Sequence, residues 1–354
     1  MNQPVGHSDL KLVFTREELL SDHDYARPHE IQGRRLHGGY DAAGNYIPPR
    51  SLGRGRAIAS WTESLRRRGG DLLDADSSLL TGPRVPNPAQ QSLLVRRGLD
   101  RFFWNALTIT GKIEGRGRML SAMPLPKLQP LFVEDISGTA LGHLHKGLMH
   151  AHGIDEGGEP DKGIGGHDVM WFVARDLAFG ADAHPDAEPP ERIARPEEGT
   201  RWMPKVDEPF EMLFAFLMNL LVIEFRAEIG FAATQEIMRT PDLFPTRRPQ
   251  AEEAAEIIER IRTDERIHVE SLRLYLGELC SLTVRTVDGG TMPGSELVDP
   301  FWQGLLDWAT VEQPRIVAER MHAELRARIL DVPNGQRILT EFDALADPGY
   351  SLAA

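Results

Sequence analysis

Two long stretches with helical spacing of apolar residues, separated by a short proline-rich break, constrain the fold of this chain most strongly. The first runs from about residue 208 to 239 and the second from about 250 to 282, with Pro241 and Pro245 between them. Proline interrupts a helix because it lacks the N–H donor and clashes with the preceding turn. So short a connection favours antiparallel neighbours. The sequence therefore predicts a helical hairpin within an all-α fold.

The second stretch carries the motif Asp264-Glu265-Arg266-Ile267-His268 in its middle. Glu265 and His268 fall in the same helical row as Ile261, so both side chains should point toward the core. Burying them without partners would cost several kcal/mol. A metal ion removes that cost, because carboxylate oxygen and imidazole nitrogen suit iron or manganese. The alternative is a surface Glu-x-x-His pair, a pattern that is common by chance.

The first stretch supplies a partner carboxylate for this motif. An apolar run of leucine, valine and isoleucine leads directly into Glu224, and a carboxylate in such a run is rarely exposed. Phe244, near the middle of the break, is equally far along the chain from Glu224 and from Asp264. Antiparallel helices would therefore set Glu224 level with the motif. Glu228, one helical turn further on, would share this face as a second ligand or a gate.

An apolar helix with Glu224, followed by a helix with Asp264-Glu265-x-x-His268, resembles half of a ferritin-like di-iron carboxylate bundle, the superfamily of rubrerythrins and di-iron oxygenases. The resemblance covers about residues 208 to 282. It implies a ferritin-like helical bundle in which Glu224, Glu265 and His268 are ligands of iron, with manganese as the other candidate metal. It also implies that Asp264 orients a ligand histidine through the second ring nitrogen.

The other half of such a bundle needs a second glutamate helix and a second Glu-x-x-His helix. The best candidate is a helix predicted from about residue 128 to 152, which contains four histidines. Glu134 and His145 lie at one edge of its apolar face. Eleven residues separate them, about 16 Å along a helix, so at most one can join a two-metal cluster, and both remain candidate ligands. The downstream pair Glu319-x-x-His322 has its glutamate off the apolar row, and we interpret it as a surface feature.

Glycine, proline and arginine dominate residues 1–87, which we interpret as an irregular arm with one short helix near residues 57–67. Its arginines could clamp an anionic substrate or, in the favoured interpretation, dock on the acidic body of the protein. Residues 88–354 would form the helical metal-binding domain, with a loop from Gly153 to Gly166 and additional C-terminal helices. Besides the hairpin, helices are predicted at about residues 88–108, 128–152, 167–179, 298–310 and 314–330.

The net charge of −13 makes nucleic acid and anionic membranes poor partners. The N-terminus lacks the apolar core of a signal peptide, and no apolar run is long enough to span a bilayer. Cys280 is the single cysteine, which excludes an intrachain disulfide and fits a reducing compartment. We therefore expect a cytoplasmic protein, and a homodimer remains open.

These features predict a non-haem di-iron oxidoreductase or oxygenase that activates O2 to oxidise a small organic substrate. Two alternatives remain open at this point. The chain could be a non-catalytic iron-handling or helical interaction protein. It could also hold a mononuclear, histidine-ligated zinc built from His143, His145 or His167.

Overall fold

The computed structural model describes residues 10–347 except 81, 83, 197, 198 and 200. Most of this part of the chain is helical, as predicted. The α-helices are α1 (Arg16–Leu19), α2 (Ser51–Arg67), α3 (Pro88–Arg96), α4 (Arg101–Gly117), α5 (Leu148–Gly157), α6 (His167–Phe179), α7 (Glu208–Arg239), α8 (Arg248–Ser281), α9 (Ser295–Asp307), α10 (Gln313–Leu330) and α11 (Gly335–Ala344). Short 3₁₀ turns cover Ser77–Leu80, Arg118–Ala122, Gln129–Leu131, Leu141–Lys146 and Pro160–Lys162, and a π-turn covers Trp308–Glu312. The strands are β1 (Arg27–Ile31), β2 (Arg34–Tyr40), β3 (Tyr46–Ile47), β4 (Ile164–Gly165), β5 (Thr283–Arg285) and β6 (Thr291–Pro293).

Helices α7 and α8 form the predicted antiparallel hairpin. Each has a proline in its first turn, where the missing N–H costs nothing. Close to the connection, Arg239 donates to Glu256 over 2.8 Å. Further from it, Gln235 donates to Glu259 over 2.7 Å. On both helices, the residue of the second pair lies further from the connection than the residue of the first pair. The two helices therefore run in opposite directions.

The hairpin passes through two apolar clusters that are separated by a polar layer. The buried apolar residues of α8 up to Ile261 belong to one cluster, and those from Leu272 onward belong to the other. Between these two positions the buried residues of α8 are all polar, and they are Asp264, Glu265, His268 and Ser271. Each buried polar group of this layer needs a hydrogen-bonding or charged partner, because burying it without one is costly. The neighbouring helices supply these partners.

The N-terminal arm is more regular than its composition suggested. β1 and β2 form an antiparallel pair, β3 pairs with the end of β2, and β4 pairs with β2 in parallel. Helix α2 is longer than predicted and buries Trp61 and Leu65. The chain after α2 lies directly on α8 at Gly277, where a Cβ atom would come within 2.3 Å of the Asp71 carbonyl oxygen. The arm therefore packs closely over the hairpin.

The predicted helix over residues 128–152 and the loop that was expected to follow it were wrong. This segment contains two 3₁₀ turns, and α5 begins only at Leu148. Gly153 was expected to end the helix, yet α5 continues through it to Gly157. A Cβ atom at Gly153 would lie 2.3 Å from the Ser121 backbone nitrogen, and one at Gly157 would lie 2.3 Å from the Arg118 Cβ. These glycines permit close packing on the turn Arg118–Ala122 rather than ending the helix.

The remaining predicted helices largely agree with the structure. Helix α6 has the predicted bounds, and α9 and α10 correspond to the two C-terminal predictions. The helix expected over residues 88–108 is divided into α3 and α4, and α4 extends to Gly117. Over the described residues, we find no helix with the length and apolar character that crossing a membrane requires.

Candidate metal centre

Five helices bring acidic and imidazole side chains into the polar layer. All of these side chains are buried. They are Glu114 of α4, His152 and Glu156 of α5, His167 of α6, Glu224 of α7, and Glu265 and His268 of α8. So many titratable groups in one buried site would be strongly destabilising unless they neutralise one another or bind a cation.

The local sequence explains how two of these residues reach the centre. Phe103, Leu107, Gly111 and Glu114 are buried on α4 at helical spacing, so the apolar stripe of this helix ends in a carboxylate. Further along α4, a Cβ atom at Gly117 would lie 2.6 Å from the Glu156 Cγ. This glycine lets α5 approach closely enough to insert its own carboxylate.

Donor atoms that lie no more than 4.8 Å apart form three groups, and two of these groups share Glu156. We call these two the His268 group and the His167 group; the third consists of His37, His167 and Asp264. The His268 group consists of His152, Glu156, Glu224 and His268. The His167 group consists of Glu114, Glu156, His167 and Glu265. Each group combines carboxylate oxygen with imidazole nitrogen, a donor set that suits iron, manganese or zinc.

Two carboxylates reach both groups, one oxygen to each side. Glu156 places Oε1 3.1 Å from His268 Nδ1 and Oε2 3.6 Å from His167 Nδ1. Glu265 places Oε2 2.7 Å from His268 Nδ1 and Oε1 2.9 Å from His167 Nδ1. A carboxylate with one oxygen in each of two adjacent donor sets is suited to bridge a pair of metal ions. Glu224 and Glu114 lie at the outer ends, one in each group.

Three imidazole nitrogens in the centre are buried and make no well-aligned hydrogen bond with any described group. They are His152 Nε2 and both ring nitrogens of His167. Carboxylate oxygens nevertheless lie 3.1 Å from His152 Nε2, 2.9 Å from His167 Nδ1 and 3.5 Å from His167 Nε2. The rings of His152 and His268 are also stacked, with centroids 3.8 Å apart. Two protonated rings so arranged would repel each other. Neutral rings whose lone pairs point at an ion would not, so these donors fit a metal centre.

In the metal-free chain, burial and the excess of carboxylates have the largest effects on the pKa values of the centre. Burial raises the pKa of Glu224 to about 8 and that of Glu114 well above its usual value. Burial alone would lower the pKa values of His167 and His268, but the charge of Glu265 raises both. The centre thus holds protons where cations could bind. Two divalent ions would balance its four carboxylates.

The second nitrogen of His268 has a charged support. His268 Nε2 donates to Asp155 over 3.0 Å, and Asp155 also accepts from the buried Arg50 and Arg54. Burial would raise the pKa of Asp155, but the two guanidinium groups hold it well below its usual range. Arg50 precedes α2 in a left-handed conformation, with φ at 50°. Such strain in a non-glycine residue persists where the surroundings require it.

The second nitrogen of His167 faces a support without formal positive charge. Asp264 Oδ2 lies 3.5 Å from His167 Nε2 and 3.2 Å from His37 Nε2, and it accepts from the Tyr46 hydroxyl over 2.8 Å. A Cβ atom at Gly38, where φ is +68°, would lie 2.5 Å from the Tyr46 hydroxyl oxygen. Glycine therefore lets the phenol cross β2 to reach Asp264.

The hairpin brings Glu224, Glu265 and His268 together as predicted, and it places Asp264 beside a histidine. The other three candidate ligands lie elsewhere. Glu134 accepts from the backbone and the hydroxyl of Thr283, because the broken helix carries it to β5. His145 is exposed on a 3₁₀ turn, and Glu228 is exposed on α7. The structure therefore corrects the placement of these three residues.

Several residues of the centre and its supports were not predicted from the sequence. Among them are Glu114, His152, Asp155, Glu156 and the positioning groups of the arm. His152-x-x-x-Glu156 is a visible signal, because residues four apart share a helix face. It was hidden by the expectation that Gly153 ends the helix. His143, once a zinc candidate, instead accepts from the Phe14 backbone and donates to the Thr139 carbonyl.

Comparison with models of protein families, with curated proteins and with solved structures finds no match to this chain.

Proposed function

We propose that the protein is a non-haem di-metal oxidoreductase that activates O2 to oxidise a small organic substrate, in the manner of the ferritin-like di-iron carboxylate superfamily. Iron is the favoured metal and manganese the alternative. The observation that carries the proposal is the position of Glu156 and Glu265 between His268 and His167, where each carboxylate directs one oxygen toward either ring. Bound iron would supply the one-electron chemistry that dioxygen requires.

The side chains of the centre would divide the work as follows. Glu156 and Glu265 would each offer one oxygen to either ion. His152 and Glu224 would complete the His268 group, and Glu114 would complete the His167 group. The apolar clusters on both sides would keep bulk water away from the ions.

The residues behind the two histidines would act on the protons of the imidazoles. Asp155 would keep a proton on Nε2 of His268, and Asp264 would do the same for His167. Each ring would then present an unprotonated Nδ1 to an ion, which is the usual function of a carboxylate behind a ligand histidine. We also propose a cytoplasmic location, because the chain has a single cysteine.

An enzyme is favoured over an iron-storage protein by a cavity that adjoins the centre. The cavity has a volume of about 630 Å³, and its wall includes Glu114 of the His167 group. This volume lies within the range of small-molecule sites, roughly 300–1,000 Å³. Storage of iron would not need such a space beside the ligands.

Metal content and oxygen consumption test the proposal. Purified protein reconstituted without oxygen should hold about two iron or manganese ions per chain. Glu156→Gln should lose most of both ions, because both groups share this carboxylate. Glu228→Gln is the matched control, since it changes an exposed glutamate on α7 near Glu224. With reductant, the iron-loaded protein should consume O2 faster than Glu156→Gln does.

Three outcomes would contradict the proposal. Protein without stoichiometric metal, whose metal content is unchanged in Glu265→Ala, would exclude the centre. A single zinc per chain would indicate a mononuclear enzyme. Iron that is bound without oxygen consumption under reductant would indicate iron handling instead of oxidation.

A further inference from the structure

The cavity beside the centre has a wall whose charges are unevenly distributed. Helix α4 contributes Thr110, Ile113 and Glu114 to it, and α7 contributes the segment from Ile223 to Ile237. The chain near residues 190–196 and the first part of α10 close the other sides. Because Glu114 belongs to the His167 group and Ile223 precedes Glu224, one end of the cavity lies at the candidate metal centre.

Most of the cavity wall is apolar, and its charged residues are mainly positive. Ile223, Phe231, Trp308 and Val317 are among the lining side chains. Among the described lining residues, Arg84, Arg192 and Arg226 are cationic, and Glu114 is the one carboxylate. Since Glu114 is committed to the metal centre, the remaining charge of the wall is positive and complements an anion.

Arg226 is the cation best placed to bind that anion. Its guanidinium lies 5.1 Å from the centroid of the Trp308 ring, which holds one face of the group. Its Nη2 atom is buried and makes no hydrogen bond within the described part of the chain. A buried guanidinium nitrogen without an acceptor is costly. Arg226 also lines the cavity, and a ligand carboxylate there would supply an acceptor for the guanidinium, because the planar fork of arginine matches two carboxylate oxygens.

We propose that the cavity binds an organic carboxylate with an apolar body, whose carboxylate pairs with Arg226 and whose body extends along the wall that contains Glu114. This inference rests on the proposed function, because it assigns the substrate class of that same centre. The apolar body fills the space lined by α4 and α7, and burial of its methylene groups supplies most of the affinity. Arg226 selects the anion over neutral molecules of the same length.

Decanoate is a suitable probe, with decan-1-ol as its neutral counterpart. In titration calorimetry on the metal-loaded protein, decanoate should bind at least about 10-fold more tightly than decan-1-ol. Arg226→Gln should weaken decanoate binding by about 10- to 100-fold and leave decan-1-ol binding nearly unchanged. Arg266→Gln is the matched control, because it removes an exposed arginine of α8 outside the cavity.

A second variant tests the cavity without removing a charge. A Cβ atom at Gly230 would have no neighbour within 4 Å, and this glycine lines the cavity. Gly230→Leu should therefore narrow the cavity, and leucine also favours the helix over glycine. It should weaken binding of both probes by at least about 10-fold while metal content and thermal stability are retained. This result would separate blocking of the cavity from failure to fold.

The outcomes distinguish the two proposals. Equal affinities for decanoate and decan-1-ol, no decanoate binding up to its solubility limit, or unchanged decanoate affinity in Arg226→Gln would each overturn the carboxylate site. If these tests succeed while the protein lacks stoichiometric metal, the carboxylate site stands and the oxidase proposal fails. If metal and oxygen consumption are normal but Gly230→Leu binds decanoate with unchanged affinity, the ligand lies outside this cavity and the inference is wrong.

Discussion

His268 and His167 face the same two carboxylates, Glu156 and Glu265, but are supported in different ways on the opposite side. Behind His268, Asp155 is held between two buried guanidinium groups. Behind His167, the partners of Asp264 are a phenol and a second imidazole. At each end an aspartate faces the second ring nitrogen of the histidine, 3.0 Å away at His268 and 3.5 Å away at His167. One end of the centre is anchored by ion pairs, and the other by hydrogen-bonding groups without permanent charge.

The groups that contact Asp155 and Asp264 from behind come from the N-terminal arm, which composition alone described as irregular. Arg50 and Arg54 lie at the start of α2, His37 lies on β2 and Tyr46 begins β3. The expected docking of arginines on the acidic body therefore has a definite site, Asp155. The arm closes the polar layer from outside the hairpin, so folding of the arm and metal binding should be coupled.

The largest difference between the two ends should appear when each aspartate is neutralised in the metal-free protein. Asp155→Asn removes the carboxylate that pairs with the buried Arg54 guanidinium. Arg50 would still have a second carboxylate, that of Glu159, 3.7 Å away. Breaking a buried ion pair in this way costs about 3–5 kcal/mol. Asp264→Asn should cost less, about 1–2 kcal/mol, because it removes hydrogen bonds and strands no permanent charge.

Denaturant unfolding with the exposed Asp161→Asn as control measures these changes in the free energy of unfolding. Equal destabilisation by the two buried substitutions would show that the guanidinium pair does not distinguish the ends. Both variants should also bind metal about 10- to 100-fold more weakly than the parent, because each loses the carboxylate behind a ligand histidine.

The comparison also explains which parts of the centre could be predicted. Glu224, Glu265 and His268 were found because their helices are long and periodic, and because a short proline-rich break fixes their relative level. Asp155 and Glu156 were missed because Gly153 resembles a helix end. Its real role depends on contact with Ser121, which local sequence does not encode. The supports of the arm depend on pairings over long sequence separations, such as Tyr46 with Asp264, and no local pattern indicates them.

Stability of the metal-free protein should fall as the pH rises, by on the order of a few kcal/mol. The carboxyl of Glu224 has its pKa raised from 4.5 to about 8 by burial, so the folded state is favoured while this group is protonated and loses stability as pH rises from 4.5 to 8. The raised pKa values of His167 and His268 act in the same direction. Their stabilisation is complete below pH 6.5 and is lost as the pH passes the folded values.

Unfolding of chelator-treated protein between pH 5 and 9 checks this slope, which should be smaller in Glu224→Gln than in the parent. Metal affinity should show the opposite trend and increase with pH, because the ions displace these protons. If the metal-free protein instead became more stable between pH 5 and 9, the raised pKa values of Glu224, His167 and His268 would be contradicted.

The smallest expected effect concerns the uncharged support alone. Tyr46→Phe removes the hydroxyl that donates to Asp264 over 2.8 Å and leaves the ring in place. The loss should be about 0.5–1 kcal/mol of folding stability, and metal affinity should fall by less than about 10-fold, because His37 still lies 3.2 Å from the same carboxylate oxygen. Tyr40→Phe is the control, since Tyr40 lies on β2 beside Arg27 instead of Asp264. In site-resolved spectra of the loaded protein, the change should be confined to the ion of the His167 group. An equal perturbation of both ions would mean that the two ends of the centre are not supported independently.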